Sequence, residues 1–187
     1  MVEEMRAARG IEVTYETVRR WALKFVQQAA RRIRSRPVAF GDKWYLDEVV
    51  IIINCKKHWL WRAVDQCGIV LDVLVHSRRD RYATQRLMRK LLRKCGLTPR
   101  VLITDKLKIY AAANKDMGLR FKHRQHKGLN NRAENSHQPT RVRENVMRRF
   151  KSARQLQRFV SVHDQVGNLF HRRRYNVNAT GKRTNRN

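Results

Sequence analysis

KWYLDEVVIII, residues 43–53, is a nearly unbroken apolar, β-branched run interrupted by one pair of acids, Asp47 and Glu48. A run of that length and composition reads as a strand buried on both faces of a sheet. HWLWRAV (58–64) follows across the turn Asn54–Lys57, and IVLDVLV (69–75) follows across Asp65–Gly68. Turns that short join antiparallel neighbours, because a parallel pair needs a crossover of a dozen or more residues. Three strands in meander order are therefore expected.

Further along, Ala83, Leu87, Met88, Leu91, Leu92 and Cys95 recur at helical spacing, and Gly96 and Pro99 end the pattern. VLIT (101–104) reads as a short strand, Lys106–Ala113 as a short helix and Arg120–Arg124 as a weaker strand. Helical spacing returns at Asn131. Ser152 with Gln155 forms a capping box for a last helix that should bury Leu156, Phe159, Val160, Val166 and Phe170. The expected class is α/β: a ribonuclease-H-like mixed sheet, three antiparallel strands and then parallel strands, flanked by helices. Such a plan does not by itself assign a function.

Ahead of the sheet, Val2–Ala8 has helical spacing and Gly10 supplies a stop. Thr14 is a good N-cap for a second helix, with Val18, Trp21, Ala22 and Phe25 on one stripe. That helix carries Arg19, Arg20 and Lys24, and the pair resembles the last two helices of a helix-turn-helix. Arg31–Pro37 reads as a basic connector.

Charge narrows the partner. Lys and Arg number 43 against 15 acids, a net charge of +28 with pI near 11.5. Self-repulsion on that scale calls for a polyanion, and basic residues spread along the whole chain argue against a membrane-surface helix. The longest apolar run, Val49–Ile53, is far too short to span a bilayer. Neither it nor the N-terminus reads as a membrane or secretory segment, so a cytoplasmic protein is expected. Cys55, Cys67 and Cys95 form no CxxC pair and read as reduced thiols.

Three acids stand where a metal site would want them. Asp47 lies in the first strand. Asp105 sits at the C-terminal end of the fourth, the edge where open α/β sheets place their sites. Glu134 opens a helix. Each has a plainer reading: Asp105 as an N-cap, Glu134 as the glutamate of a capping box with Asn131, Asp47 as a solvent-facing group with Glu48 pointing the opposite way. Together, in a strongly basic chain, they suit phosphodiester chemistry with two Mg²⁺ ions, and Mn²⁺ suits carboxylates as well. His123, His126 and His137 form no competing ligand set.

The segments GDKWYLDEV (41–49), LWRAVD (60–65), ITDK (103–106), HRQ (123–125) and NNRAENSHQPTR (130–141) resemble the catalytic core of insertion-sequence transposases of the IS-six family. The resemblance runs from about residue 2 to residue 174. It implies a retroviral-integrase-like core in which Asp47, Asp105 and Glu134 form a DDE triad that holds the metal ions. It also implies end nicking by water, attack of the freed 3′ hydroxyl on target DNA, and a homo-oligomer, dimer or higher. Arg141, seven residues after Glu134, together with Lys106 and Arg132, is a candidate for phosphate contacts, and Arg19, Arg20 and Lys24 for DNA contacts in the first segment. Between residues 141 and 174 there are ten Lys or Arg and two acids, which should make DNA binding salt-sensitive. The expected division is 1–36, partial helix-turn-helix and basic linker; 37–174, catalytic core; and 175–187, a disordered basic tail. Family members carry a further helix before the first segment, so the alternative expectation is a truncated, non-catalytic DNA-binding remnant acting as an inhibitor.

Overall fold

The computed structural model describes residues 10, 13–35, 40–105 and 108–170. The helix expected over Val2–Ala8, the candidate Lys106 and the tail 175–187 lie outside these residues. The chain divides into two compact units, Met1–Val38 and Ala39–Asn187.

In the first unit one helix, α1 (Tyr15–Ser35), is described. The Thr14 hydroxyl accepts from the Thr17 N–H at 3.3 Å, the N-cap geometry that satisfies one orphan donor of the first turn. The helix continues through Arg31–Ser35, expected as a connector, because no Gly or Pro interrupts it before Pro37. Trp21 and Phe25 of the expected stripe are 45% and 48% exposed.

The second unit is a five-stranded sheet in the order β3-β2-β1-β4-β5. Its strands are β1 (Lys43–Ile53), β2 (Lys56–Asp65), β3 (Val70–His76), β4 (Val101–Thr104) and β5 (Lys122–Gln125). β1–β2 and β2–β3 are antiparallel, while β1–β4 and β4–β5 are parallel, which is the ribonuclease-H-like plan. The β1–β2 turn is tighter than expected. Asn54 and Cys55 alone form it, both at positive φ, so the strands' own twist is matched by a two-residue loop.

The acid pair sits at the centre of this sheet, because β1 is its middle strand. Trp44 and Leu46 face one layer, packing with Trp61, Leu71 and Leu102 against α2 (Arg81–Cys95) and against Tyr110 of α3 (Lys108–Asp116). Ile51 and Ile53 face the other, with Leu60 and Val73 against Leu156 and Val160 of α6 (Ala153–Phe170). Burial on both faces stops after Val49, since Val50 and Ile52 are exposed. α2 is capped as its sequence suggests: Asp80 accepts from the Ala83 N–H at 2.8 Å, and Gly96 closes the helix in the left-handed region.

The outermost strand, β3, is not left open. Lys94 and Lys90 donate to the Leu71 and Val73 carbonyls, and Asn168 and Gln157 of α6 accept from the Val70 and Val75 N–H groups. Side chains thus take up groups that would otherwise template another strand.

Four expectations shift. α3, described over Lys108–Asp116, runs past the expected end at Ala113, while the expected first residues, 106 and 107, lie outside the described residues. The helical stretch after Asn130 is two helices, α4 (Asn131–Ser136) and α5 (Gln138–Val146), broken at His137. Pro139 has no N–H to donate, and its ring crowds the carbonyl four residues back. The Asn131–Glu134 capping box does not form, because Asn130 is the N-cap and gives no side-chain capping bond. In α6, Leu156 and Val160 are buried and Phe159 and Val166 partly so, but Phe170 is exposed and Asp164 lies buried in the stripe.

Candidate active site

Asp47 sits midway along β1 and is buried on the face that receives α4 to α6. Asp105 follows the last residue of β4, the parallel neighbour of β1. Glu134 stands exposed on α4. The fold brings the three into one electrostatic neighbourhood. Burial, and then the negative charges of Glu48, Glu134 and Asp105, push the Asp47 carboxyl up to about 7. Among the described residues no three His, Cys, Asp or Glu side chains close into a ligand cage.

The helix bearing Glu134 is tied to the sheet at both ends. At its start the buried Asn130 amide donates to the Leu46 carbonyl at 2.9 Å, one residue before Asp47. At its end Arg62 of β2 donates to the Ser136 carbonyl, to Thr140 Oγ1 at 2.7 Å and to Asp164 Oδ1 at 3.1 Å. Arg62 and Asp164 are both buried, and the guanidinium stands 2.9 Å from Asp164 Oδ2. His137, at the helix break, is buried with Nε2 3.5 Å from an Asp47 oxygen, and neither ring nitrogen makes a hydrogen bond. Burial, with the nearby Arg62 and Arg141 charges, holds this imidazole neutral, well below its ordinary range.

On the other face of β1, Glu48 is buried as well. It accepts from Arg79 Nε at 2.7 Å and from the Tyr110 hydroxyl. Burial raises its carboxyl pKa, and these two partners oppose the rise. Arg79 lies over the Trp59 ring at 4.8 Å and reaches to 4.0 Å from Asp105, so one guanidinium joins Glu48 of β1 to the acid that follows β4. Beneath Asp105, the buried Thr104 hydroxyl meets His123 Nε2 at 2.9 Å.

The candidate phosphate contacts fare unevenly. Arg132 donates to the Gln66 carbonyl and stacks over Tyr45 at 5.5 Å, which engages it with the β2–β3 turn. Arg141 is exposed on α5, beyond the helix break that separates it from Glu134. In α1, Arg19 and Arg20 pair with Glu16 at 3.0 and 3.6 Å, and Lys24 lies over Phe25.

Sequence reading passed over Arg62, Asp164, Asn130 and Arg79. Two of these left a signal: a charged residue inside a strand of core residues and an acid on the apolar stripe of the last helix, each costly unless paired. Nothing comparable marks Arg79.

The DDE_Tnp_IS240 family model, described as a DDE domain, matches residues 41–173. The transposase of insertion sequence IS257 in transposon Tn4003 of Staphylococcus aureus is 29% identical over 147 residues, 76% of this chain and 65% of that protein. The IS431mec transposase of S. aureus strain Mu50 matches with the same identity and coverage. The chain thus spans 65% of the length of these curated relatives. Among solved structures, the magnesium complex of the HTLV-2 integrase catalytic core domain (trimeric form) has TM-score 0.48 and 16% identity, over 78% of this chain and 95% of that one. With the family match running from the start of β1 to the end of α6, the chain belongs to the DDE-domain transposases of the IS-six group.

Proposed function

We propose that this protein cleaves DNA at the ends of an insertion sequence and joins the freed 3′ hydroxyl to target DNA, with Asp47, Asp105 and Glu134 as the catalytic, metal-binding carboxylates. The observation that carries this reading is the raised Asp47. A basic chain of +28 gathers acids from β1, β4 and α4 and leaves one of them half-protonated near neutrality. Such an arrangement is costly without a cation to relieve it.

The donor set fits magnesium. All three groups are carboxylates, which suit a hard ion that keeps waters and shares substrate phosphates. When bound, two such ions supply a nucleophilic water and stabilise charge on the attacking and leaving oxygens; Mn²⁺ can substitute. Asp47 is held by its place in the central strand, Glu134 by Asn130 and Arg62 at either end of α4, and Asp105 by its place directly after β4. His137, neutral and lodged against Asp47, restricts that carboxylate without adding charge.

On this reading the partners are element ends and target DNA, and the working form is a dimer or higher oligomer acting on the nucleoid in the bacterial cytoplasm. No helix among the described residues is long and apolar enough to cross a membrane. Arg141 and Lys106 are assigned to phosphates near the carboxylates, Arg132 to phosphate beside the β2–β3 turn, and Arg19, Arg20 and Lys24 to DNA in the first unit. The functional division follows residues 1–36, 37–174 and 175–187.

Strand transfer with Mg²⁺ and oligonucleotides carrying the element's ends tests this, comparing wild type with Glu134→Gln. Joined products from wild type alone are expected. Equal product from both proteins would remove Glu134 from the chemistry. DNA binding without products from either would favour the non-catalytic remnant.

A further inference from the structure

We infer that the outer face of α2 is a DNA-backbone surface separate from the acidic centre, carried by Arg86, Arg89 and Arg93. This rests on the reading of DNA as substrate. α2 buries Ala83, Thr84, Gln85, Leu87, Met88 and Leu91, half-buries Leu92 and Cys95, and leaves Arg86, Arg89 and Arg93 exposed. Along its 15 residues there are six Lys or Arg and no acid.

These cations fall into two groups. Lys90 and Lys94 are already engaged: Lys90 stands 2.8 Å from Asp72 Oδ1 and donates to the Val73 carbonyl, and Lys94 donates to the Leu71 carbonyl. The side chains of Arg86, Arg89 and Arg93 make no hydrogen bond or ion pair among the described residues. All five line one concavity of about 530 Å³ in which Asp72 is the single acid. A recess walled by like charges raises the local potential and draws in an anion.

Spacing favours a nucleic-acid backbone over a small anion. Positions 86, 89 and 93 lie at i, i+3 and i+7 on one helix face. Seven residues at about 1.5 Å rise span about 10 Å, close to three steps of about 3.4 Å along one strand, a run of four successive phosphates. A second copy of the chain would set this stripe against like charge. The two tethered lysines hold the floor of the recess while the arginines keep their reach.

The test is duplex binding by fluorescence anisotropy across a potassium chloride series, with the full chain and a random-sequence oligonucleotide. R86Q/R89Q/R93Q keeps good helix formers on an exposed face, so the fold should survive by circular dichroism. Each lost phosphate contact flattens the slope of log K against log salt by about 0.9, so a change of about 2–3 is expected. A charge-matched control, K56Q/K57Q/K115Q, should move the slope by less than about 0.9, one phosphate's worth. R86K/R89K/R93K should keep the wild-type slope, because a point charge suffices for phosphate. Equal slopes for the Gln variant and the control would overturn the assignment, as would loss of slope in the Lys variant. Self-association abolished by the Gln variant with DNA binding intact would give the face to a second copy instead. Wild type that binds no duplex at low salt would sink the DNA reading as a whole, whereas the preceding outcomes sink only this surface.

Discussion

Replacing Asp164 with Asn should cost about 3–5 kcal/mol, the penalty for breaking a buried ion pair from one side. The figure follows from what surrounds the pair. Arg62 is 1% exposed and Asp164 6%, so neither charge can turn to water when its partner is removed. Asp164 Oδ2 lies 2.9 Å from the guanidinium, and the other contacts of that guanidinium, Thr140 and the Ser136 carbonyl, are neutral. Asn preserves shape and one acceptor while leaving a buried cation uncompensated. Against a typical total stability of about 5–15 kcal/mol, such a loss is close to decisive. Urea denaturation read by tryptophan fluorescence reports on this unit, since Trp44 and Trp61 are buried in its core. In a double-mutant cycle with Arg62→Met, the coupling should exceed about 1 kcal/mol. The apolar double variant should recover most of the lost stability, because removing both charges also removes their desolvation cost. A loss below about 1 kcal/mol for Asp164→Asn alone would refute the reasoning.

The raised Asp47 carboxyl makes metal-free stability fall as pH rises. The folded protein holds this proton up to about pH 7, while the unfolded chain releases it near 3.8, so the folded state binds the extra proton across that window. The interval corresponds to as much as about 4 kcal/mol. Asp47→Asn should remove that fall, and parallel wild-type and variant profiles from urea titrations at pH 5 and pH 8 in chelator would contradict it. Tyr110→Phe leaves the buried Glu48 with Arg79 as its remaining side-chain partner among the described residues and should cost about 1.5–3 kcal/mol, the range for a hydrogen bond to a charged group; an unchanged urea midpoint would mean that the hydroxyl is not bonded there. Asp80→Ala removes the cap of α2 and should cost about 1 kcal/mol, visible as a lower Tm by circular dichroism, whereas Asp80→Asn should keep most of it.

The layout of strands could be read from residues 43–75 because local rules and tertiary packing agree there. β-branched runs separated by short polar turns leave few alternatives to a meander, and the apolar run of β1 marks the central strand, although its last part is covered on one face, with Val50 and Ile52 exposed. Agreement ended where a side chain's partner lies far away in sequence. Asp164 occupies a position on the last helix that periodicity assigns to the core, and what makes it tolerable is Arg62, a hundred residues earlier. The helix break at His137 could be read from Pro139, but its consequence, lodging an imidazole against Asp47, could not. Asn130 lay inside the most recognisable motif, yet its amide serves a backbone carbonyl of β1, and backbone partners leave no pattern in a sequence.

The two buried charges at the middle of the sheet are treated in opposite ways, and the contrast explains the acidic centre. Asp47 and Arg62 are cross-strand partners in the β1–β2 register, so the nearest compensating cation for Asp47 is already opposite it. The guanidinium goes instead to Asp164, Thr140 and the Ser136 carbonyl, and Asp47 is left beside a neutral imidazole and other acids. A fold selected for stability alone would pair the two directly. On the proposed reading, diverting Arg62 to the C-terminal end of α4 fastens the Glu134 helix and leaves Asp47 without an Arg or Lys counter-ion among the described residues, the condition for a metal cation to be attracted there. Asp164 therefore protects the site as well as the fold. In Asp164→Asn the released guanidinium has Asp47 as its nearest acid across the strand pair, so Mn²⁺ binding followed by calorimetry under conditions where the variant stays folded should weaken severalfold. Unchanged metal affinity in that variant would mean that Arg62 does no more than pin α4 in place.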